Sequence, residues 1–109
     1  MFKNQRNIAR VSSSLPIQLS FGSQITLLGQ IKDLSLKSAF IIVKSSIHMD
    51  THDELTFCIE NLPFNIEGTI QGSARISRVA PGEGIAIFFT KIDDASSNLL
   101  HRLVGQTIK

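Results

Sequence analysis

The chain has 109 residues and a hydrophobic fraction of 42%, which fits one compact domain with its own core. Its charged fraction of 18% and net charge of +2 are too small to require nucleic acid or a membrane surface as partner, although the pI near 9.0 favours anionic ligands. No apolar run reaches the roughly 18 residues that span a bilayer, and the lone cysteine, Cys58, cannot form an internal disulfide. We therefore expect a cytoplasmic domain without stable membrane insertion.

Residues 1–14 are polar, basic and rich in serine, and they show no hydrophobic periodicity. We expect them to form a flexible arm that precedes a folded domain at 15–109. Within that domain, short segments either alternate between apolar and polar residues or are continuously apolar, as strands do. The sequence predicts six strands, at 17–21, 25–33, 39–43, 54–60, 66–78 and 85–89.

The fifth strand is the longest, because a period-2 series runs from Ile66 through Ile76 to Arg78, with glycines that suit a bend or bulge. After the sixth strand the period changes to that of a helix. Asp93 or Asp94 can cap its start, and Gly105 suits its end. Its apolar face comprises Leu99, Leu100, Leu103 and Val104. Six short strands and one helix predict an all-β fold: a six-stranded antiparallel barrel with a C-terminal helix.

No residue pattern in the chain favours catalysis. Cys58 lies in the middle of a predicted strand, and Ser35 lacks the glycine-flanked elbow of a nucleophilic serine. His48 and His52 are four residues apart, but they lie between strands, in a segment with no cysteine and without the glutamate of a zinc protease motif, so a solvated loop is favoured over a metal site. We expect a binding protein rather than an enzyme, with no metal and no cofactor.

Two short segments are candidates for ligand binding. Arg6 and Arg10 lie at the junction of the arm and the barrel, and each arginine can grip a phosphate bidentately or stack on a base. The segment from Asp33 through Ser35 to Ser38 lies between two strands. Taken singly, the first is typical of a solvated basic terminus and the second of a turn. The strand, turn and strand between them can form a hairpin that returns the chain towards the arm.

This order of elements resembles the PilZ domain family of bacterial cyclic di-GMP receptors, whose signature is RxxxR followed by [DN]xSxxG. The segment RNIAR, from Arg6 to Arg10, matches the first motif, and DLSLKS matches the second except at Ser38, which replaces the glycine. Arg78 and the strand GIAIFF resemble the family's arginine and its GIGVxF strand, with Ala86 in place of a glycine. The resemblance extends over nearly the whole chain, including the terminal helix.

The resemblance implies that the domain binds cyclic di-GMP. Arg6 and Arg10 would then contact the phosphates and a guanine, while Asp33 and Ser35 would approach the ligand from the barrel surface. It also implies that the arm folds over the nucleotide, and this ordering would present a new surface to an unidentified effector protein. The two remaining candidates are Ser38, at the glycine position, and Arg78, for which an exposed strand arginine is an equal alternative.

Two other functions remain open. Some PilZ domains bind no nucleotide and act as protein adaptors, and Ser38 favours this alternative, because a left-handed backbone there would strain a serine. A small barrel can also bind single-stranded nucleic acid through aromatic stacking platforms. The sequence has no Trp or Tyr, and its phenylalanines fall mostly on positions predicted to face the core, so we expect no nucleic-acid partner.

Overall fold

The computed structural model describes residues 15–22, 25–43 and 49–107, and the predicted arm at 1–14 lies outside them. These residues form six strands and one helix: β1 (Leu15–Phe21), β2 (Ile25–Leu34), β3 (Ser38–Ile42), β4 (Glu54–Ile59), β5 (Ile70–Ala80), β6 (Gly84–Ile92) and α1 (Asp94–Thr107). Within these ranges, no helix is long and apolar enough to cross a membrane.

The strands form a closed barrel in the order β1-β2-β3-β6-β5-β4, and every neighbouring pair is antiparallel. The barrel closes because β1 pairs with both β2 and β4. Among the six described strands, closure leaves no unpaired edge that could recruit another sheet. The six-stranded antiparallel barrel with a C-terminal helix is therefore confirmed.

The core consists mainly of branched aliphatic side chains that alternate inward along the strands, as the period-2 pattern predicts. The largest fully buried side chains are Ile17, Leu19, Ile31, Leu34, Ile41, Ile59, Ile70, Ile76, Ile85, Ile87, Leu100 and Leu103. The last two belong to α1, which contacts β5. Burying each such side chain contributes about 1.5–3 kcal/mol, so the alternating pattern itself drives barrel formation.

Several predicted boundaries were wrong; the sixth strand, for example, ends at Ile92 rather than Phe89. The fifth strand begins at Ile70 rather than Ile66, because the preceding residues leave the extended conformation: Phe64 has a φ of 63° and Gly68 one of 125°. Ile66 is nevertheless buried, so its apolar character reflects the core and not a strand. The helix continues to Thr107 instead of ending at Gly105.

Asp93 caps the N-terminus of α1, which decides between the two predicted candidates. Its Oδ1 accepts a hydrogen bond of 2.7 Å from the backbone N–H of Ser96. The buried Ser96 hydroxyl in turn accepts a bond of 3.1 Å from the backbone N–H of Gln71 in β5. One turn of chain thus caps the helix and fastens it to the barrel.

We expect Asp93→Ala to lower the free energy of unfolding by about 1 kcal/mol, because the N–H of Ser96 loses its acceptor. Urea denaturation measures this change. Asp93→Asn is the matched control, since its side-chain oxygen can still accept the bond, and it should lie close to the unsubstituted protein. Equal losses in both variants would contradict the capping role.

Candidate ligand-binding site

A bulge in β2 turns Asp33 towards the outside of the barrel. The register between β2 and β3 shifts between Ile31 and Asp33. Ile31 and Leu34 are both buried, so the two residues between them, Lys32 and Asp33, face outward together. Bulges often reorient side chains in this way beside functional sites.

A second bulge acts in the same way on β5. The register between β5 and β6 shifts between Ile76 and Arg78, and both Ser77 and Arg78 are exposed. The Ser77 hydroxyl donates a hydrogen bond of 3.2 Å to the carbonyl of Ala86 on the neighbouring strand. The period-2 series was therefore wrong at its end, because it placed Arg78 on the same face as the buried Ile76.

The two bulges lie at the ends of one row of outward side chains. Asp33 is paired with Phe40, Phe40 with Ala86, and Ala86 with Arg78, so the row crosses β2, β3, β6 and β5. The guanidinium carbon of Arg78 lies 5.6 Å from the centroid of the Phe40 ring, within the range of a cation–π contact. The small side chain of Ala86 between them leaves room for this contact.

A surface cavity of about 340 Å³ lies over this row. Its walls come from the two bulges, the turn between β2 and β3, and the start of β6. The described lining residues are Lys32, Asp33, Leu34, Ser35, Ser38, Ala39, Phe40, Ser77, Arg78, Glu83 and Ala86. Asp33, Ser35, Ser38 and Arg78 are thus brought together around one cavity, whereas Arg6 and Arg10 lie outside the described residues.

The Ser35 hydroxyl organises the turn that forms one wall. It accepts hydrogen bonds from the backbone N–H groups of Ser38 (3.1 Å) and Lys37 (3.3 Å). The backbone N–H of Ser35 donates to the carbonyl of Ser38 at 2.9 Å. The turn alternative from the sequence therefore holds for Ser35, and the same serine lines the cavity.

Ser38 begins β3 opposite Phe88, and its backbone does not adopt the left-handed conformation. The strain expected for a serine in place of glycine is therefore absent. Its hydroxyl instead lies 3.2 Å from the Ser35 hydroxyl, within hydrogen-bonding distance. Serine in place of the motif glycine therefore does not strain the backbone. Its side chain instead occupies space in the cavity and contacts the Ser35 hydroxyl.

The described charges around the cavity cancel. Lys32 and Arg78 are cationic, whereas Asp33 and Glu83 are anionic. Such a lining favours a ligand that carries both hydrogen-bond donors and acceptors, and it offers no net attraction to an anion. A phosphate-bearing ligand would need additional cations from another part of the protein.

Sequence reasoning missed Phe40, Lys32, Ser77 and Glu83 as lining residues. Phe40 lies within a continuous apolar run, so its outward direction follows only from its pairing with Asp33 and Ala86. The prediction that phenylalanines mostly face the core was wrong for Phe40, Phe64 and Phe88. The last two are 51% and 49% exposed and line no part of the cavity.

The other reactive side chains lie apart from this cavity. Burial, reinforced by the carboxylate and hydrogen bond of nearby Glu60, raises the pKa of the Cys58 thiol, which disfavours the nucleophilic thiolate. His52 is an exposed turn residue, and His48 lies outside the described residues. A larger depression of about 470 Å³ contains Cys58, Lys91 and Asp93 but none of the predicted site residues that the structure describes.

Comparison with known proteins identifies the fold and the family. The PilZ domain family model matches residues 4–106. The structure is similar to the inhibitor of motility MotI/DgrA from Bacillus subtilis, with a TM-score of 0.73, 14% identity and 95% of this chain covered. The chain spans about half of that protein (52%).

Two further structures are similar over most of their own length. The PilZ domain of CeSA from a cellulose-synthesizing bacterium gives a TM-score of 0.67 and 20% identity, with 89% of this chain and 95% of that chain covered. The PilZ domain of YcgR from Escherichia coli, solved with cyclic di-GMP, gives 0.70 and 13%, with 92% and 86% covered. No curated protein matches the sequence.

Proposed function

Because the chain belongs to the PilZ domain family of non-catalytic domains, which commonly bind cyclic di-GMP, we propose that it binds this nucleotide in the cavity between the two bulges. In this proposal the arm at 1–14 folds over the ligand, and the ordered arm then presents a surface to an effector protein. The single observation that carries the proposal is that Asp33, Ser35, Ser38 and Arg78 line one cavity.

The position of the arm supports its assigned role. Residues 1–14 join the barrel at Leu15, which is paired with Ile31, two residues before Asp33. Arg10 precedes Leu15 by only five residues, and an extended chain spans about 3.3–3.6 Å per residue. A reach of up to roughly 17 Å brings the arm to a cavity that begins at Lys32 and Asp33.

In this proposal, the arginines of the arm neutralise the negative charge of the ligand. Cyclic di-GMP carries two phosphodiester anions, whereas the described charges of the cavity lining cancel. Arg6 and Arg10 would supply two cations, and each charge-assisted hydrogen bond contributes about 1.5–3 kcal/mol. At 340 Å³ the cavity is near the lower limit for ligand pockets, so the arm would also supply a missing wall.

Isothermal titration of the purified chain with cyclic di-GMP tests the proposal, with GTP and cyclic GMP as controls. We expect saturable binding near micromolar affinity, about −8 kcal/mol, and none with the controls. Absence of heat at high ligand concentration, together with an unchanged melting temperature, would rule out the receptor.

The adaptor alternative is favoured by one observation, the contact of 3.2 Å between the Ser38 and Ser35 hydroxyls inside the cavity. This contact engages a hydroxyl that the receptor needs for its ligand, and the Ser38 side chain takes up space there. An adaptor would recover the same partner in pull-downs with and without nucleotide.

We expect Ser38→Gly to strengthen cyclic di-GMP binding by up to about tenfold, because the change removes the Ser38 hydroxyl that contacts the Ser35 hydroxyl and enlarges the cavity. Glycine also costs about 0.5–1 kcal/mol of stability in a strand, so melting temperatures should be recorded beside the titrations. Ser77→Gly is the matched control, because Ser77 also lines the cavity but bonds to Ala86 instead. Equal gains in both variants would show that added space alone is responsible.

A further inference from the structure

Phe40 is the one aromatic side chain among the described residues that line the cavity. It lies in the interior of the outward row, half-buried, with Asp33 on one neighbouring strand and Ala86 on the other. The resemblance to the motif gives this position no role, and its apolar character alone suggested a core strand. Its placement instead presents a ring to the cavity floor.

The Phe40 ring already holds a planar partner. The guanidinium of Arg78 reaches across the small Ala86 side chain and lies 5.6 Å from the ring centroid. Arg78 is exposed at the barrel surface, so its long side chain can leave the ring without opening the core. A flat π surface covered by a movable cation is suited to accept a flat base in exchange.

We propose that the Phe40 ring is a stacking platform for a guanine base of the bound nucleotide, and that Arg78 covers this platform until the base arrives. The displaced guanidinium then donates to O6 and N7 at the guanine edge, a pairing that suits the arginine fork. Stacking a base on an aromatic side chain strengthens binding roughly 5- to 140-fold. An exposed cation–π contact strengthens association only about two- to fivefold, so the exchange favours the base.

The inference rests on the proposed receptor function, so its first test compares affinities for cyclic di-GMP. We expect Phe40→Leu to weaken binding roughly 5- to 140-fold, because leucine fills the half-buried position but offers no ring. Phe88→Leu is the matched control: Phe88 is an exposed aromatic residue on the adjacent row, opposite Ser38, and does not line the cavity. It should retain the affinity of the unsubstituted chain.

A second variant reports on the base contact directly. The chain contains no tryptophan, so Phe40→Trp would introduce a unique fluorophore at the platform. We expect its emission to change saturably with cyclic di-GMP, at the same concentrations as the heat of binding. Phe64→Trp, in the exposed loop before β5 and outside the cavity lining, should show no such change.

The outcomes separate this inference from the receptor function. If the unsubstituted chain and Phe88→Leu both fail to bind, the receptor function fails, and the platform fails with it. If the unsubstituted chain binds and Phe40→Leu binds equally well, the platform alone is overturned. If Phe40→Leu no longer melts cooperatively, it is not folded and its affinity is uninformative. Phe40→Trp then provides the test: unchanged tryptophan emission at saturating cyclic di-GMP would overturn the stacking platform.

Discussion

Arg10→Ala is expected to weaken cyclic di-GMP binding by at least 100-fold while leaving the melting temperature of the free protein unchanged. The described charges of the cavity cancel, so the anionic ligand depends on cations from the arm. Removing one arginine deletes up to two charge-assisted hydrogen bonds of about 1.5–3 kcal/mol each. Isothermal titration measures the affinity, and calorimetric melting measures the stability of the free chain.

Arg102→Ala is the matched control for this loss of charge. Arg102 is exposed on α1, and it does not line the cavity. It carries the same charge as Arg10, so a general electrostatic attraction to the nucleotide would weaken similarly in both variants. If Arg10→Ala bound cyclic di-GMP as tightly as the unsubstituted chain, the proposal that the arm contributes to the binding site would be wrong. A large drop in the melting temperature of Arg10→Ala would make this arginine structural instead.

Gly84→Ala is expected to lower the free energy of unfolding by roughly 3 kcal/mol or more, the upper range for overpacking. Gly84 is buried at the start of β6, where it is paired with Ile42 of β3. A Cβ atom there would overlap the carbonyl oxygen of Ile41 and press on the Cα of Ile42. Both obstacles are backbone atoms, which cannot rotate away, so β3 and β6 must separate. Urea denaturation measures the effect.

Gly105→Ala is the matched control and should change stability in the opposite direction. Gly105 is exposed within α1, and a Cβ atom there meets nothing within 4 Å. Alanine restricts the unfolded chain and favours the helix, which raises the free energy of unfolding by about 0.5–1 kcal/mol. If both variants lost similar amounts of unfolding free energy, the close contact between β3 and β6 would not be the reason that position 84 requires glycine.

The sequence was most informative where structure follows from neighbours along the chain. The alternation of Leu55, Phe57 and Ile59 with polar residues predicts β4, and the residues of β4 have that orientation. Such a pattern buries one face whatever lies opposite. It was least informative at Ile66 and Phe40, whose apolar side chains also suit strands or the core. Ile66 is buried in the core but lies in a loop rather than a strand, and Phe40 faces the cavity.

By itself, the sequence determined the strands, the helix and the motif positions, because hydrophobic period and turn residues act over a few positions. Only the tertiary structure decided which side chains meet. The bulges at Asp33 and Arg78 depend on the register between paired strands, and a shift of one residue moves a side chain to the other face. Asp33 and Arg78 are 45 positions apart in the numbering, and the row between them exists only because β3 and β6 pair. Pairing between strands that are distant in the chain is a non-local interaction, and it assembles this cavity from separate segments.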